Sequence, residues 1–111
     1  MDEFFVEVRV YQTKSGKRPF LDWLNSFQSK IFRQRVWTRL DRVYRGNFGD
    51  TKPLGSGLYE LRLHFDSGIR IYLGKRGDQR ICVLLGGDKG TQRFDIDKAK
   101  SYWSDYLRNN L

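Results

Sequence analysis

The chain is poor in the residues that build covalent or metal-held frameworks. It has one cysteine, Cys82, and one histidine, His64. A single thiol closes no internal disulfide, which fits a reducing cytoplasm. One Cys with one His makes no structural zinc site, so neither a metal nor another cofactor is expected. No apolar run approaches the roughly 20 residues that a membrane helix needs, so no membrane partner is expected. The opening, MDEFFVEVRV, is acidic where a secretory signal would be basic. Repeats and low-complexity tracts are absent, as are the P-loop, G-x-S-x-G and H-E-x-x-H motifs of common hydrolases. Acidic side chains are the minority charge: 13 Asp and Glu face 21 Lys and Arg, a formal net charge of +8.

What remains is a small, aromatic, basic chain. Its 111 residues suit one domain, 1–111, with a modest core. Hydrophobic residues make up 39% and aromatics 15%, enough to exclude a disordered tail. A charge excess of this size points to a polyanion, most often nucleic acid. The plain alternative is a charge that only keeps the protein in solution.

The punctuation predicts the order β-α-α-β-β-β-α, a small single-domain α+β fold with a mostly antiparallel sheet and helices packed on it. FFVEVRVY (4–11) alternates as a strand. Pro19 suits the first turn of a helix that carries Phe20, Leu21, Trp23, Leu24 and Phe27. Residues 29–46 form a second helix, with Ser29 as N-cap, an apolar stripe of Phe32, Val36, Leu40 and Val43, and Gly46 just past its end. GNFGDTKPLGSG (46–57) reads as a long loop. LYELRLHF and IRIYLGKR alternate cleanly around a DSG turn and form a hairpin. After a GD turn, RICVLLGG is apolar on both faces and belongs inside the sheet, covered on both sides. A final helix runs through TQRFDIDKAKSYWSDYLRNNL, with Thr91 available as its cap and Ile96, Ala99, Trp103, Tyr106 and Leu107 along one side.

Alternation puts Arg62 and His64 on one face of their strand and Arg70, Tyr72 and Arg76 on one face of the next, where a hairpin brings the rows together. Like charges on adjacent strands repel, so an anion is expected to relieve them. Lys52 and Lys89 stand ready to close over the rim. Arg35, Arg39, Arg42 and Arg45 form a basic stripe on the second helix. The bland readings are an exposed polar sheet face and a solvated helix face. The bland reading of Tyr72 is a cross-strand packing partner for Arg62, and a lone strand histidine is more often a surface residue than a catalyst. The carboxylates show no paired acid–base signature.

In this order and spacing, GNFGDTKPLGSGLYELR, ELRLHFDSGIRIYLGKRG, VLLGGDKGTQ and DIDKAKSYW resemble the RelE/HigB superfamily of bacterial toxins, in particular its phage-derived Gp49-like (addiction module killer protein) branch. The resemblance runs from about Val10 onward. It implies the toxin of a type II toxin–antitoxin system: a cytoplasmic endoribonuclease, or mRNA interferase, acting on mRNA in the ribosomal A site by metal-independent attack of the ribose 2′-OH. It also implies a cognate helix-turn-helix antitoxin and hence a toxin–antitoxin hetero-oligomer. By position, Arg62 matches the phosphate-stabilising arginine of the family's LR strand motif, Arg70 the arginine after the hairpin turn, Lys89 the family's cation after the last strand, and Lys52 its loop lysine. These four are the expected catalytic residues. Tyr72, His64, Arg76, Arg39 and Arg42 are the expected RNA-binding residues. The chain departs from the family at RFDID, where Phe94 can stack on a base but cannot move a proton. On this reading Gly86 and Gly87 let the backbone approach RNA closely. Two other readings stand beside it: a non-catalytic RNA- or DNA-binding module, and a phage-type structural protein whose basic face meets another protein.

Overall fold

The computed structural model describes residues 5–77 and 79–110. Phe4 of the expected first strand, Asp78 of the GD turn and the last residue of the expected final helix lie outside the described residues. The architecture is α+β, as the alternation implies. A five-stranded sheet has the order β1-β5-β4-β3-β2, parallel between β1 and β5 and antiparallel elsewhere. The strands are β1 (Glu7–Val10), β2 (Thr51–Gly55), β3 (Leu58–Leu63), β4 (Ile69–Arg76) and β5 (Arg80–Gly87); the helices are α1 (Pro19–Asn25), α2 (Lys30–Tyr44) and α3 (Gln92–Asn109).

The helix boundaries follow local chemistry. Pro19 opens α1, where its missing N–H costs nothing. Ser29 Oγ accepts from Phe32 N at 3.2 Å, and Gly46, at φ 89°, follows the end of α2. The expected loop 46–57 holds a strand instead: β2 pairs with β3 along the sheet edge. Pro53 and Gly55 argue against a strand in sequence, but an edge tolerates both, and the register shifts between them.

Two cores flank the sheet. On one face α1 and α2 bury Phe20, Leu24, Val36 and Leu40 against Leu61, Leu63, Ile71 and Leu73. On the other, α3 lays Ala99 and Trp103 over Leu58, Tyr72, Cys82 and Leu84. Gly74 makes room for this packing, since a Cβ there would fall 2.1 Å from the Trp103 ring. Trp103 Nε1 donates to Ser56 O at 2.8 Å, fixing the ring. Ile81 to Gly87 of β5 are all buried, so the twofold-apolar strand lies inside the sheet, as expected. Burial pushes the Cys82 thiol up to about 12. Among the described residues, no helix is long and apolar enough to cross a membrane.

Candidate functional site

The β3–β4 register builds the site. Lys52, Glu60, Tyr72 and Leu85 stand side by side across β2, β3, β4 and β5, and Arg62, Arg70 and Gly87 form the next row. Directly paired residues share a face, here the one that α3 covers. Trp103 fills the Gly74 end of that face, and Arg62 and Arg70 lie at the opposite end.

Two guanidiniums directly opposite each other would repel, and Glu60 offsets this. It is fully buried. Its Oε1 lies 3.2 Å from Arg62 Nε and 3.6 Å from Arg70 Nε. Its Oε2 accepts from Gln92 Nε2 at 2.7 Å and from Tyr72 OH at 3.3 Å. A buried carboxylate is tolerated only when so completely partnered. The arginines differ in access: the Arg62 side chain is 33% exposed and that of Arg70 14%. Arg70 Nη1 also donates to Gly68 O at 3.0 Å.

Lys89 reaches the same rim through a rigid turn. Asp88 Oδ1 accepts from Gly90 N at 2.8 Å and Thr91 N at 3.1 Å, while Thr91 Oγ1 accepts from Asp88 N at 3.3 Å. This capping box shapes the 3₁₀ turn Lys89–Thr91 that precedes α3. Lys89 N bonds to Ser67 O at 3.4 Å, and a Cβ on Gly68 would lie 3.6 Å from Lys89 Cβ and 3.3 Å from Arg70 Nη1. The β3–β4 turn therefore brings the Arg70 head and the Lys89 stem together. Lys52, exposed on β2, shares the face as the neighbour of Glu60. Phe94 is 68% exposed on the first turn of α3.

Several expectations need correction. Tyr72 is on the expected face but fully buried, so it meets Glu60 rather than RNA. Burial first, then the adjacent Glu60 charge, raises its hydroxyl pKa well above the usual tyrosine range. Arg76 lies six residues along β4 from Arg70, about 20 Å at strand spacing, and donates to Asn110 O just past the end of α3. His64 leaves the strand row: its Nε2 lies 2.6 Å from Asp50 Oδ2, and it lines an open groove of about 570 Å³ beside α2. Arg39 is buried rather than part of an exposed stripe. It donates to Phe48 O, and its buried Nη1 has no hydrogen-bond partner among the described residues. Burial, then the nearby Arg42 charge, lowers its pKa. Arg42 itself is exposed and lines the same groove, which Arg62 also borders.

Gly86 and Gly87 are buried, and they serve packing rather than ligand approach. A Cβ on Gly86 would fall 2.2 Å from the Trp23 ring; on Gly87 it would fall 1.9 Å from Asp95 Oδ2. Thr91, expected to cap the final helix, makes no side-chain cap of α3 and instead donates to Asp95 Oδ2. Burial raises the pKa of the Asp95 carboxyl. The sequence reading missed Glu60, Gln92 and Asp95. Glu60 was within reach of the alternation, which sets it on the same face as Arg62, beside Tyr72 across the hairpin.

No protein-family model matches the chain. A protein of Haemophilus influenzae, described as an uncharacterized protein, is 37% identical over 81 residues, which cover 73% of this chain and 82% of that protein. The chain belongs to the same family as this Haemophilus influenzae protein.

Proposed function

We propose that the protein is the toxin of a type II toxin–antitoxin pair of the RelE/HigB kind, an endoribonuclease that cuts mRNA on the ribosome in the cytoplasm. The observation that carries this reading is the cation cluster: Arg62 and Arg70 in direct register, with the Lys89 stem against the Arg70 turn, at the end of the sheet face away from Trp103. In the proposed reaction the ribose 2′-oxygen attacks the adjacent phosphorus, the bond to the 5′-oxygen breaks, and a 2′,3′-cyclic phosphate and a 5′-hydroxyl result. The 2′-OH gives up its proton and the leaving 5′-oxygen gains one. Charge accumulates on the phosphorane, and Arg62 and Lys89 offset it, assisted by Arg70 and Lys52. Phe94 offers a ring for base stacking. DNA lacks the 2′-OH and is not a substrate. The cognate helix-turn-helix antitoxin would meet this +8 chain through an acidic or amphipathic segment.

A non-catalytic RNA-binding module is the second reading. The observation favouring it is that Glu60 and Tyr72, the buried acid and phenol of the site, are engaged with each other and with Arg62, Arg70 and Gln92. Induced expression without the partner separates the two. The enzyme reading predicts growth arrest with cuts inside translated messages, relieved by Arg62→Ala or Lys89→Ala. Each substitution lowers the cleavage rate about 10²–10³-fold, as removal of one oxyanion donor does. Soluble expression with normal growth and intact messages would favour the binding module.

A further inference from the structure

Glu60 is placed where a side chain contacts both arginines but no solvent. Its Oε1 accepts a hydrogen bond from Arg62 Nε at 3.2 Å and lies 3.6 Å from Arg70 Nε, an ion-pair contact that leaves this buried nitrogen without a hydrogen bond among the described residues. Its second oxygen is held by Gln92 and Tyr72, from α3 and β4, so the carboxylate is fixed from both sides. A guanidinium is a planar fork, and fixing its Nε side fixes the direction of its Nη groups. The hydrogen bond of the Arg62 side chain among the described residues is the one from Nε to Glu60. Arg70 is further restrained by the bond from Nη1 to Gly68 O.

We propose that Glu60 is a positioning residue: it holds the Nε edge of Arg62, with its charge beside Arg70, and so directs the Arg62 fork, beside Arg70 and Lys89, at one phosphate group. Glu60 itself touches no ligand and transfers no proton. The inference rests on the proposed function only in naming that phosphate as an RNA phosphodiester; the anion site itself needs no cleavage to be seen.

A merely structural Glu60 and a positioning Glu60 differ in sign. Glu60→Gln keeps the shape and removes the negative charge beside both arginines. If Glu60 positions them, anion affinity holds or rises, by about three- to tenfold for the loss of one partly screened unit charge. The single-turnover cleavage rate at saturation falls on the order of 10²-fold, as for a reacting group misplaced by an ångström. Affinity is measured with inorganic phosphate, following the Arg62 and Arg70 Nε–H resonances by ¹⁵N NMR. The rate is measured on programmed ribosomes. Parallel loss of phosphate affinity and rate in a folded Glu60→Gln protein would overturn the proposal, as would an unchanged rate.

If Glu60→Gln does not fold, Arg62→Lys supplies the test, because it keeps the charge but has no Nε edge for Glu60 to hold. The expected result is phosphate affinity within about threefold and a rate reduced on the order of 10²-fold. Full rate in Arg62→Lys would overturn the proposal. If the wild type cleaves no RNA, the nuclease reading is overturned and the Arg62 Nε–H resonance decides the positioning role: a marked shift and broadening in folded Glu60→Gln supports it, and an unchanged resonance overturns it.

Discussion

Gly86→Ala separates a glycine kept for ligand approach from one kept for packing. The added methyl would sit 2.2 Å from Trp23 Cε3 and 2.4 Å from Cζ3, against an optimum of about 3.5–4.0 Å between carbons. The half-buried ring packs against three others. It stands edge-on to Phe27 at 5.2 Å and Phe32 at 6.0 Å, and tilted to Phe20 at 5.9 Å. Forcing a methyl group into such a core costs about 1–3 kcal/mol. For 111 residues the unfolding entropy is about 0.23 kcal/mol/K, so Tm falls by roughly 4–13 °C. Differential scanning calorimetry measures this. Trp23→Leu in the same chain should relieve the clash, giving a double-mutant coupling of about 1 kcal/mol or more. RNA affinity, measured below the transition, should not change. A Tm within about a degree of wild type together with lost RNA binding would refute the packing account and restore the close-approach role.

Two other perturbations test the charged groups. Burial raises the Asp95 pKa above 3.8, so the folded state holds this proton more tightly than the unfolded chain. That contribution is complete below the ordinary value and is lost as pH rises through the raised one. The stability of Asp95→Asn relative to wild type, from urea melts across this window, should therefore improve steadily with pH; a flat or falling difference would contradict the assignment. Arg39→Met should leave stability within about 1 kcal/mol, because a buried, partly unpartnered charge gives way to an apolar chain of similar size. Arg42→Ala, by contrast, should flatten the salt dependence of ribosome binding by roughly one unit of log–log slope with the saturated rate unchanged. The reverse pattern in binding assays would place the basic contact on the wrong arginine.

Alternation was enough to read β3, β4 and β5, and the cap chemistry of Pro19, Ser29 and Gly46 to place the helices, because both signals are local. β2 was not legible, since Pro53 and Gly55 look like loop residues until an edge strand excuses them. Alternation assigns a residue to a face but does not say what covers that face. Arg62 and Tyr72 lie on the same face of the sheet, yet α3 leaves the first partly open and buries the second. Arg39 was a misreading of phase: it lies three residues after Val36 and one before Leu40, within the apolar stripe. Gly86 and Gly87 depend on Trp23 and Asp95, which only the tertiary fold brings to them.

If the Arg62, Arg70 and Lys89 cluster assists attack by a ribose 2′-OH, as proposed, cleavage requires that hydroxyl. The direct measurement is single-turnover cleavage of a defined message on programmed ribosomes, first to map the cut, then with a single 2′-deoxy substitution on its 5′ side. The substituted message should stay intact at that position while binding is unchanged, and the natural message should yield a 2′,3′-cyclic phosphate and a 5′-hydroxyl. Equal cleavage of both messages, or a 5′-phosphate product, would contradict the proposal.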